Sequence, residues 1–291
     1  MATSSSPPTG QPGAVLVTLG PEGPAGRDPR SPLLRADDLG VLRGDGVFER
    51  FLVRAGQPRH LEDHLTRLAR SAGMTQLELP PAQAWRAAVA AAIEAWAGPA
   101  EWEMRLVCTR GPEEGGPPTA YVLAQELAPS LLRQRQDGVA VVTVARGMPA
   151  GLTLDAPWLL LGAKTLSYAV NMAVKRWAES QGADDAIFVG DGDEVWESGT
   201  SAVVAAFGQR LVSPPPSVGI LDSISVPHLF AAAHAAGWEV ARDRLVLGDL
   251  LECDGLWLCS SLRFTQVHTL DAKALPPSSA HSLLSALASA P

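Results

Sequence analysis

Residues 157–168 read Pro157-Trp-Leu-Leu-Leu-Gly-Ala-Lys164-Thr-Leu-Ser-Tyr168, so a lysine directly follows an apolar run. The chain has 23 basic residues, and three of them are lysines. Burial in apolar surroundings lowers the pKa of a lysine and gives the neutral amine that Schiff-base chemistry requires. The alternative is a lysine at the end of a core strand whose ammonium group reaches solvent. This stretch by itself leaves both interpretations open.

The composition predicts a globular protein of two domains. With 291 residues the chain is longer than one comfortable hydrophobic core, and 46% of the residues are hydrophobic. The net charge of -8 and the lack of a basic run argue against a nucleic-acid partner. No apolar run approaches the roughly 20 residues that span a bilayer, which argues against a membrane partner.

The N-terminus and the cysteines predict a cytoplasmic protein. The first residues, Met1-Ala-Thr-Ser-Ser-Ser-Pro-Pro, lack the charged and apolar regions of a signal peptide. The cysteines are odd in number, show no Cys-x-x-Cys spacing and lie in apolar runs, which is typical of reduced core residues. They are Cys108, Cys253 and Cys259.

The chain divides into four segments. Residues 1–12 are rich in Ser, Pro and Gly and predict a disordered tail. Residues 13–147 predict an N-terminal α/β domain, residues 148–156 an interdomain linker, and residues 157–291 a C-terminal domain. Strands and helices are predicted in both domains, so the fold class is α+β.

In the first domain an amphipathic helix is predicted from His60 to Met74, because apolar residues recur there at three- and four-residue spacing. A strand and a hairpin at residues 55–57 precede it. Arg67 lies beside the apolar stripe of this helix, and a buried arginine requires an anion. The alternative is a surface pair with Asp63, four residues earlier.

The second domain has polar groups at the ends of its predicted elements. A helix is predicted at residues 166–181, and Glu197 ends a strand before a Ser-Gly-Thr-Ser kink. Glu197 is therefore either a buried functional carboxylate or a surface residue. Ser225 precedes a helix predicted at about 226–236, where hydroxyls and amides form either an anion site or an ordinary N-cap.

Together these residues match the needs of pyridoxal phosphate. Its aldehyde requires a lysine amine, and its phosphate requires a helix N-terminus, hydroxyls and an arginine. Its ring nitrogen requires a carboxylate to stay protonated, so that the ring accepts electrons. Ser260 and Ser261, which end a buried strand, add further hydroxyls.

The chain resembles the fold-type IV pyridoxal-phosphate enzymes, a group that contains branched-chain aminotransferases, D-amino-acid aminotransferases and aminodeoxychorismate lyases. The matching pieces follow the order of the family: Gly44-Asp-Gly-Val-Phe, His64-Leu-Thr-Arg67-Leu, Ser71-Ala72, Thr109-Arg110-Gly, Lys164-Thr-Leu-Ser-Tyr, Glu197, Gly219-Ile-Leu-x-x-Ile-Ser225 and Ser260-Ser261. The resemblance implies a small N-terminal α/β domain and a larger C-terminal pyridoxal-phosphate-binding domain with a β-barrel-like core.

The resemblance also implies roles for the matched residues. Lys164 is implied to be the Schiff-base lysine and the proton carrier, and Glu197 to pair with the pyridine nitrogen. The other residues implied to bind the cofactor are Arg67, Tyr168, Leu221, Ser223, Ile224, Ser225 and Ser260. A substrate carboxylate suits a bidentate guanidinium. The residues expected to bind substrate are Arg110, Arg50 and Ser261, and no metal is implied.

Residues 36–48 and 163–173 are most similar to actinobacterial-type aminodeoxychorismate lyases. Such a lyase converts 4-amino-4-deoxychorismate to 4-aminobenzoate and pyruvate, which is a step of folate biosynthesis. The alternative is an aminotransferase that acts on D-amino or branched-chain amino acids, because both reactions use the same residues in their first steps. The resemblance further implies a small-molecule amine as substrate and a homodimer.

Departures from the family pattern keep a third hypothesis open, a scaffold without cofactor or activity. Ser198 follows Glu197 where the family has glycine, and Ala202 follows Ser201 where the family has asparagine. Ser225 stands where the family has threonine.

Overall fold

The structure is a computed structural model that describes residues 13–148 and 156–289. The predicted tail at residues 1–12 and residues 149–155 of the predicted linker lie outside the described residues. The chain forms two compact units. Of the described residues, the first unit contains 13–127 and Ala163–Ser167, and the second contains 128–148, 156–162 and 168–289. Among the helices of the described ranges, none has the length and apolar composition of a membrane span.

The first unit contains one antiparallel sheet and three helices. Its elements are β1 (Ala14–Gly20), β2 (Gly23–Arg27), α1 (Leu39–Arg43), β3 (Gly46–Arg54), β4 (Gln57–Pro58), α2 (Leu61–Met74), α3 (Ala82–Ala95), β5 (Glu101–Thr109) and β6 (Thr119–Gln125). The six strands follow the order β2-β1-β6-β5-β3-β4. The predicted hairpin after β3 and the predicted helix that ends at Met74 are both confirmed.

The core of the first unit lies between the sheet and the two long helices, α2 and α3. Val47 and Phe51, on the same face of β3, pack in one buried cluster with Leu68 of α2 and Trp85 of α3. Complete burial of such a side chain stabilises the fold by roughly 1.5–3 kcal/mol. The alternation of side chains along β3 therefore decides which residues face the helices and which face the opposite side of the sheet.

The segment Ala163–Ser167 belongs to the first unit because it pairs with the start of β3. The amide of Phe48 donates to the carbonyl of Lys164 at 3.1 Å, and the amide of Leu166 donates to the carbonyl of Gly46 at 2.8 Å. A Cβ at position 46 would lie 2.6 Å from the carbonyl oxygen of Cys108 and 2.6 Å from Cδ1 of Leu166. Glycine at this position is therefore a condition for the close approach of the two segments.

The second unit is a nine-stranded sheet with surrounding helices. Its elements are α4 (Pro129–Asp137), β7 (Val139–Ala145), α5 (Ala169–Ser180), β8 (Asp185–Val189), β9 (Val195–Ser198), β10 (Ala202–Phe207), β11 (Arg210–Ser213), α6 (Ser225–Ala235), β12 (Glu239–Arg242), α7 (Leu247–Glu252), β13 (Gly255–Cys259), β14 (Phe264–Leu270), β15 (Lys273–Ala274) and α8 (His281–Ser289). Short 3-10 turns occur at Pro157–Leu159, Asp191–Asp193 and Pro216–Val218.

Six of these strands close into a barrel, which confirms the predicted barrel-like core. Strands β10, β13, β14, β7, β8 and β9 pair in this order, and β9 pairs again with β10 through Glu197 and Ala202. Val141, Ile187, Val203 and Leu258 are members of the buried cluster that these strands share. Closure leaves no unpaired edge between the six strands.

Two predicted boundaries differ from the observed ones. The first domain was expected to extend to residue 147, but β7 lies in the second unit because it pairs in parallel with β8 and β14. The helix predicted at 166–181 begins at Ala169, because residues 163–167 are held along β3. Helix α4 between the two predicted strands was not anticipated, since its apolar pattern is weak.

Candidate active site

The amine of Lys164 lies against an aromatic ring of the first unit. Lys164 belongs to an irregular segment, and its side chain is half-buried. Its Nζ atom lies 4.4 Å from the centroid of the Phe48 ring. The face of an aromatic ring attracts an ammonium group by about 0.5–2 kcal/mol, depending on its exposure. This contact argues against the alternative in which the lysine extends from a core strand into solvent.

Arg67 of α2 forms a buried ion pair with Glu49 of β3. Its Nε donates to Oε1 of Glu49 and its Nη2 donates to Oε2, both at 2.7 Å. Only 7% of the Arg67 side chain and none of the Glu49 side chain is exposed. The alternative of a surface arginine is therefore wrong, and the buried arginine has the anion that its burial requires. These two bonds use one edge of a guanidinium that has five N–H donors.

His64 is the third member of this buried group. Its Nδ1 lies 2.7 Å from Oε2 of Glu49, and neither side chain is exposed. Burial tends to raise the pKa of Glu49, but the charge and hydrogen bonds of Arg67 and the hydrogen bond of His64 outweigh burial and lower this pKa to about 2. Burial lowers the pKa of His64 despite the opposing effect of Glu49. An ionised Glu49 can only accept, so neutral His64 donates from Nδ1.

Arg50 shares the buried carboxylate of Glu103 with a second arginine, Arg105. Nε of Arg50 lies 2.9 Å from Oε2 of Glu103, and Nη2 of Arg105 lies 3.1 Å from Oε1. Arg50 and Arg105 are directly opposite on β3 and β5. Arg50 is two residues from Phe48 and therefore points to the same side of the sheet. Two guanidinium groups and one carboxylate thus give a net positive patch on the sheet face that holds the Lys164 amine.

Arg110 has a different environment. Its Nε and Nη2 donate to the two carboxylate oxygens of Asp45 at 2.6 and 3.1 Å. The same guanidinium donates to the carbonyls of Thr75 and Gln76 at the end of α2. Asp45 holds the pKa of Arg110 above its ordinary value. The expectation that Arg110 binds a substrate carboxylate stays a prediction, and Asp45 competes for the same donors.

In the second unit, Glu197 and Tyr168 are connected to neighbouring loops. Glu197 lies on β9 near its end, as predicted, and its Oε2 accepts the amide of Leu221 at 3.3 Å. The hydroxyl of Tyr168 donates to the carbonyl of Gly199 at 3.2 Å, in the turn that follows β9. Asn171 donates to the same carbonyl at 2.7 Å. The structure thus brings together Glu197 and Leu221, and it connects Tyr168 to the turn beyond Glu197.

Three of the predicted serines, Ser223, Ser225 and Ser261, lie at or near the start of α6. Ser225 is the first residue of α6, and its Oγ lies 3.5 Å from Oγ of Ser261. The amide of Val226 donates to Oγ of Ser223 at 3.3 Å. The N-cap residue is Ile224, which makes no side-chain capping bond, so Ser225 is not an N-cap. Ile224, which precedes the helix, is buried. Helix amides and hydroxyls in this arrangement are suited to an anion.

Ser260 begins the turn that follows β13. Its amide donates to the carbonyl of Arg263 at 2.8 Å, and the amide of Arg263 donates back to Ser260. This turn presents Ser261 to the start of α6. The sequence prediction that the strand ends before two hydroxyl residues is confirmed.

Ser198 and Ala202, which differ from the family pattern, both have regular contacts in the structure. Ser198 is buried, and its Oγ accepts the amides of Thr200 and Ser201 at 3.3 and 2.9 Å. Ala202 pairs with Glu197 on one side and with Cys259 on the other. The turn after Glu197 is therefore fixed by a side chain at the position where glycine was expected.

Five residues that position the candidate groups were given no role from the sequence, although Phe48, His64 and Ser71 lie in the pieces that match the family. The five are Phe48, Glu49, His64, Ser71 and Arg105. Residues 64, 67 and 71 have the three- and four-residue spacing of one helix face, and that spacing was a usable signal. The partners Glu49 and Phe48 lie on a strand, and their contacts with α2 and Lys164 bridge distant parts of the sequence.

Residues 46–270 match the model of the family described as amino-transferase class IV. A Mycobacterium tuberculosis protein named "Bifunctional aminodeoxychorismate lyase / D-amino acid transaminase" is 43% identical over 85% of this chain and 89% of its own length. A solved aminotransferase structure from the same species, described as a PLP-bound form, has a TM-score of 0.89 and 41% identity, and the match covers 94% of this chain and 97% of that one.

A fold IV transaminase from Curtobacterium pusillum, named CpuTA1, has a TM-score of 0.87 and 34% identity, with coverage of 94% of this chain and 97% of that one. The family match extends over most of the chain and includes the lysine segment, the strand with Glu197 and the start of α6. The chain therefore belongs to the class IV aminotransferase family.

Proposed function

We propose that this chain is a pyridoxal-phosphate-dependent aminodeoxychorismate lyase, which converts 4-amino-4-deoxychorismate to 4-aminobenzoate and pyruvate on the route to folate. The observation that supports this activity most is the 43% identity with a relative named for it, over 85% of the chain. The same name includes D-amino acid transaminase. Transamination of D-amino or branched-chain amino acids is accordingly the second candidate.

The described residues fit pyridoxal phosphate in their chemistry. The first unit provides the amine of Lys164 beside an aromatic ring and the guanidinium of Arg67. The second unit provides a helix start with two neighbouring serine hydroxyls and the carboxylate of Glu197. A phosphate, an aldehyde and a protonated ring nitrogen require this set of groups.

Arg67 and the start of α6 are the proposed phosphate site. Arg67, Ser225 and Ser260 would donate to the phosphate oxygens, together with backbone amides from Leu221 to Ile224. The ion pair with Glu49 fixes the plane of the Arg67 guanidinium before any ligand binds. A donor fixed in this way loses less conformational freedom on binding, which favours affinity.

Lys164 and Glu197 are the residues that we propose for the chemistry, and Tyr168 stays a predicted cofactor contact. When bound, pyridoxal phosphate supplies an aldehyde that joins to amines and a ring that accepts the electron pair released at the substrate's α carbon. Lys164 would hold the cofactor through Nζ and move the α proton at the same atom. Glu197 would accept the N–H of the ring nitrogen and so keep that nitrogen protonated.

The substrate site that we propose includes the net positive patch of Arg50 and Arg105. Aminodeoxychorismate has two carboxylates, and guanidinium groups are the preferred donors to them. Arg50 was expected from the sequence, and Arg105 shares its carboxylate partner Glu103. Ser261 stays a predicted substrate contact. Arg110, whose donors are directed to Asp45, is the weakest of the predicted contacts.

The two candidate reactions are separated by supplying aminodeoxychorismate without any keto acid. A lyase releases 4-aminobenzoate and pyruvate for many turnovers, because its cofactor is regenerated in each cycle. A transaminase stops after one amino-group transfer per active site, since no keto acid is present to accept that group. Multiple turnovers that disappear in Lys164→Ala support the lyase.

The cofactor-free scaffold is tested separately by reconstitution. The purified chain is incubated with pyridoxal phosphate, and the visible absorbance of a lysine-bound cofactor is recorded for the wild type and for Lys164→Ala. A band in the wild type that is lost in the variant supports an enzyme. Identical spectra would favour the scaffold and reject the proposed function, including both reactions.

The homodimer implied by the family resemblance remains a proposal of the same kind. Sedimentation equilibrium of the purified chain measures the mass in solution directly. A mass of twice the 30.5 kDa of the chain supports it, and a monomer across the accessible concentration range contradicts it.

A further inference from the structure

Ser71 connects the helix of Arg67 with the backbone of Lys164. Ser71 lies on α2, and none of its surface is exposed. Its Oγ accepts the amide of Lys164 at 3.0 Å, although the two residues are 93 positions apart. Ser71 follows Arg67 by one helical turn, so both side chains lie on the same face of α2. His64 lies on this face as well and binds Glu49 together with Arg67.

We propose that Ser71 is a positioning residue that fixes Lys164 relative to Arg67. The inference rests on the proposed function, which assigns Lys164 and Arg67 to the cofactor. It adds a residue that acts through the lysine backbone and touches no ligand. Helix α2 then holds both groups: Lys164, which the proposed function assigns to the aldehyde, and Arg67, which it assigns to the phosphate.

The surroundings of Lys164 explain why one hydroxyl matters. Its segment is neither helix nor strand, apart from a single bridge between Thr165 and Val47. The carbonyl of Lys164 accepts from Phe48, and its amide donates to Ser71. Removal of the hydroxyl leaves the amide without this acceptor in a partly buried place. The peptide can then rotate about its remaining contacts and move Nζ from the ring of Phe48.

If Ser71 has only a packing role, its substitution should have different effects from those expected for a positioning role. If the position only requires a small side chain between α2 and the lysine segment, alanine should replace serine without effect on Lys164. If the hydroxyl positions the backbone, alanine should change Lys164 and threonine should restore it, because threonine keeps the acceptor. Cysteine, whose sulfur is a weaker acceptor, should give an intermediate result.

The control variant is Thr75→Ala. Thr75 is the C-cap residue of α2, one turn beyond Ser71, and its hydroxyl donates to the carbonyls of Ser71 and Ala72. This substitution removes a partly buried hydroxyl that bonds to its own helix rather than to the lysine segment. A change caused by loosening of α2 alone would therefore appear in this control too.

The experiment uses the full chain loaded with pyridoxal phosphate and compares the wild type with four variants. They are Ser71→Ala, Ser71→Thr, Ser71→Cys and Thr75→Ala. The first readout is hydrogen exchange at the Lys164 amide. The second is the dissociation constant for pyridoxal phosphate, obtained by titration of the cofactor-depleted chain. Unfolding midpoints confirm that each variant is folded.

In Ser71→Ala we expect exchange at the Lys164 amide to rise about tenfold and the cofactor to bind about tenfold more weakly, as the loss of one such bond implies. Ser71→Thr should return both values toward the wild type, and Thr75→Ala should leave both unchanged. Equal exchange and equal affinity in wild type and Ser71→Ala would overturn the proposal. Equal changes in Ser71→Ala and Thr75→Ala would overturn it as well.

Failure of the proposed function gives a different pattern. If the wild type binds no pyridoxal phosphate through Lys164, the proposed function fails, and the positioning role toward the cofactor fails with it. If the wild type binds the cofactor through Lys164 but Ser71→Ala equals the wild type in both readouts, the enzyme assignment stands and the role of Ser71 alone is rejected.

Discussion

Arg67 of α2 donates two hydrogen bonds of 2.7 Å to the carboxylate of Glu49 on β3, and both side chains are almost fully buried. The pair joins α2 to β3, and β3 also holds the lysine segment. Its integrity therefore affects both the stability of the first unit and the position of the guanidinium that we assign to the phosphate.

Replacement of Glu49 by glutamine should strongly destabilise the protein. It leaves the buried charge of Arg67 without its counter-charge, and breaking such a pair costs about 3–5 kcal/mol. Urea unfolding measures the decrease in the free energy of unfolding. The control is Glu62→Gln on α2, the helix of Arg67; the partner of Glu62, Arg86, is about half exposed. Glu62→Gln should lower the free energy of unfolding by less than about 1 kcal/mol. Equal effects of the two substitutions would contradict the importance of the buried pair.

The free energy of unfolding should fall as the pH is lowered below about 6.5. The folded-state pKa of His64 lies below 6.5, and that of Glu49 is about 2 against an ordinary 4.5. Each group therefore contributes to the free energy of unfolding at pH values above its unfolded-state pKa. This contribution is lost as the pH decreases, first for His64 below 6.5 and then for Glu49 between 4.5 and about 2. Urea unfolding across this pH range measures the decline.

The matched variants for this pH series are His64→Gln and His268→Gln. His64→Gln should remove the part of the decline that begins below pH 6.5, because glutamine does not titrate. His268 is exposed, and its replacement should leave the curve as in the wild type. A decline that is the same in His64→Gln would show that other groups cause it.

Replacement of Arg105 by methionine should weaken substrate binding. A hydrogen bond to a charged group contributes about 1.5–3 kcal/mol, which corresponds to a rise in KM of roughly ten- to a hundredfold for aminodeoxychorismate. Steady-state kinetics test this, with kcat changing less than KM. Arg105 shares Glu103 with Arg50, so Arg50→Met should have a similar effect. Unchanged KM values in both variants would exclude the patch as the carboxylate site.

Arg110→Met should act on stability more than on substrate affinity. Its bonds to Asp45, Thr75 and Gln76 connect the end of α2 to the start of β3. We expect a loss of about 1–2 kcal/mol, reduced by the partial exposure of the pair. The same kinetic assay gives KM. A KM that rises as much as in Arg105→Met would restore Arg110 as a substrate residue.

Gly46→Ala should separate the lysine segment from β3. A Cβ there would lie 2.6 Å from a backbone oxygen of Cys108, so the strand or residues 163–167 must move. Cofactor affinity and thermal stability should both decrease. Gly73→Ala is the control, because its Cβ meets no atom within 4 Å and alanine favours a helix by roughly 0.5–1 kcal/mol. A Gly46→Ala protein with wild-type affinity would contradict this account.

Local periodicity was sufficient to predict α2 and the hairpin after β3. The 3.6-residue repeat placed Arg67 beside the apolar face, but it left a surface pair with Asp63 open, and the structure decided for burial. The identity of its anion did not follow, because Glu49 is 18 residues away on a strand whose register is set by its pairing with β5. The same limit explains why Arg105, which shares Glu103 with Arg50 on the neighbouring strand, was not predicted.

Long-range pairing also explains the errors around Lys164 and β7. Leu166 and Ser167 have a helix-compatible sequence, but the amide of Leu166 donates to Gly46 at the start of β3, more than a hundred residues earlier. Strand β7 was placed in the first domain because it precedes the linker, whereas its partners β8 and β14 come later in the chain. A single sequence does not contain this information in its local patterns.

The placement of Ala163–Ser167 in the first unit has a consequence for dividing the chain. Residues 13–127 form most of that unit, but Lys164 and its neighbours come after α4 and β7 in the sequence. A fragment that ended at position 127 would keep β3 without the segment that pairs with its start, and the remaining fragment would carry that segment without β3. The first unit can therefore be completed only when both fragments are present, in one chain or as a reassociated pair.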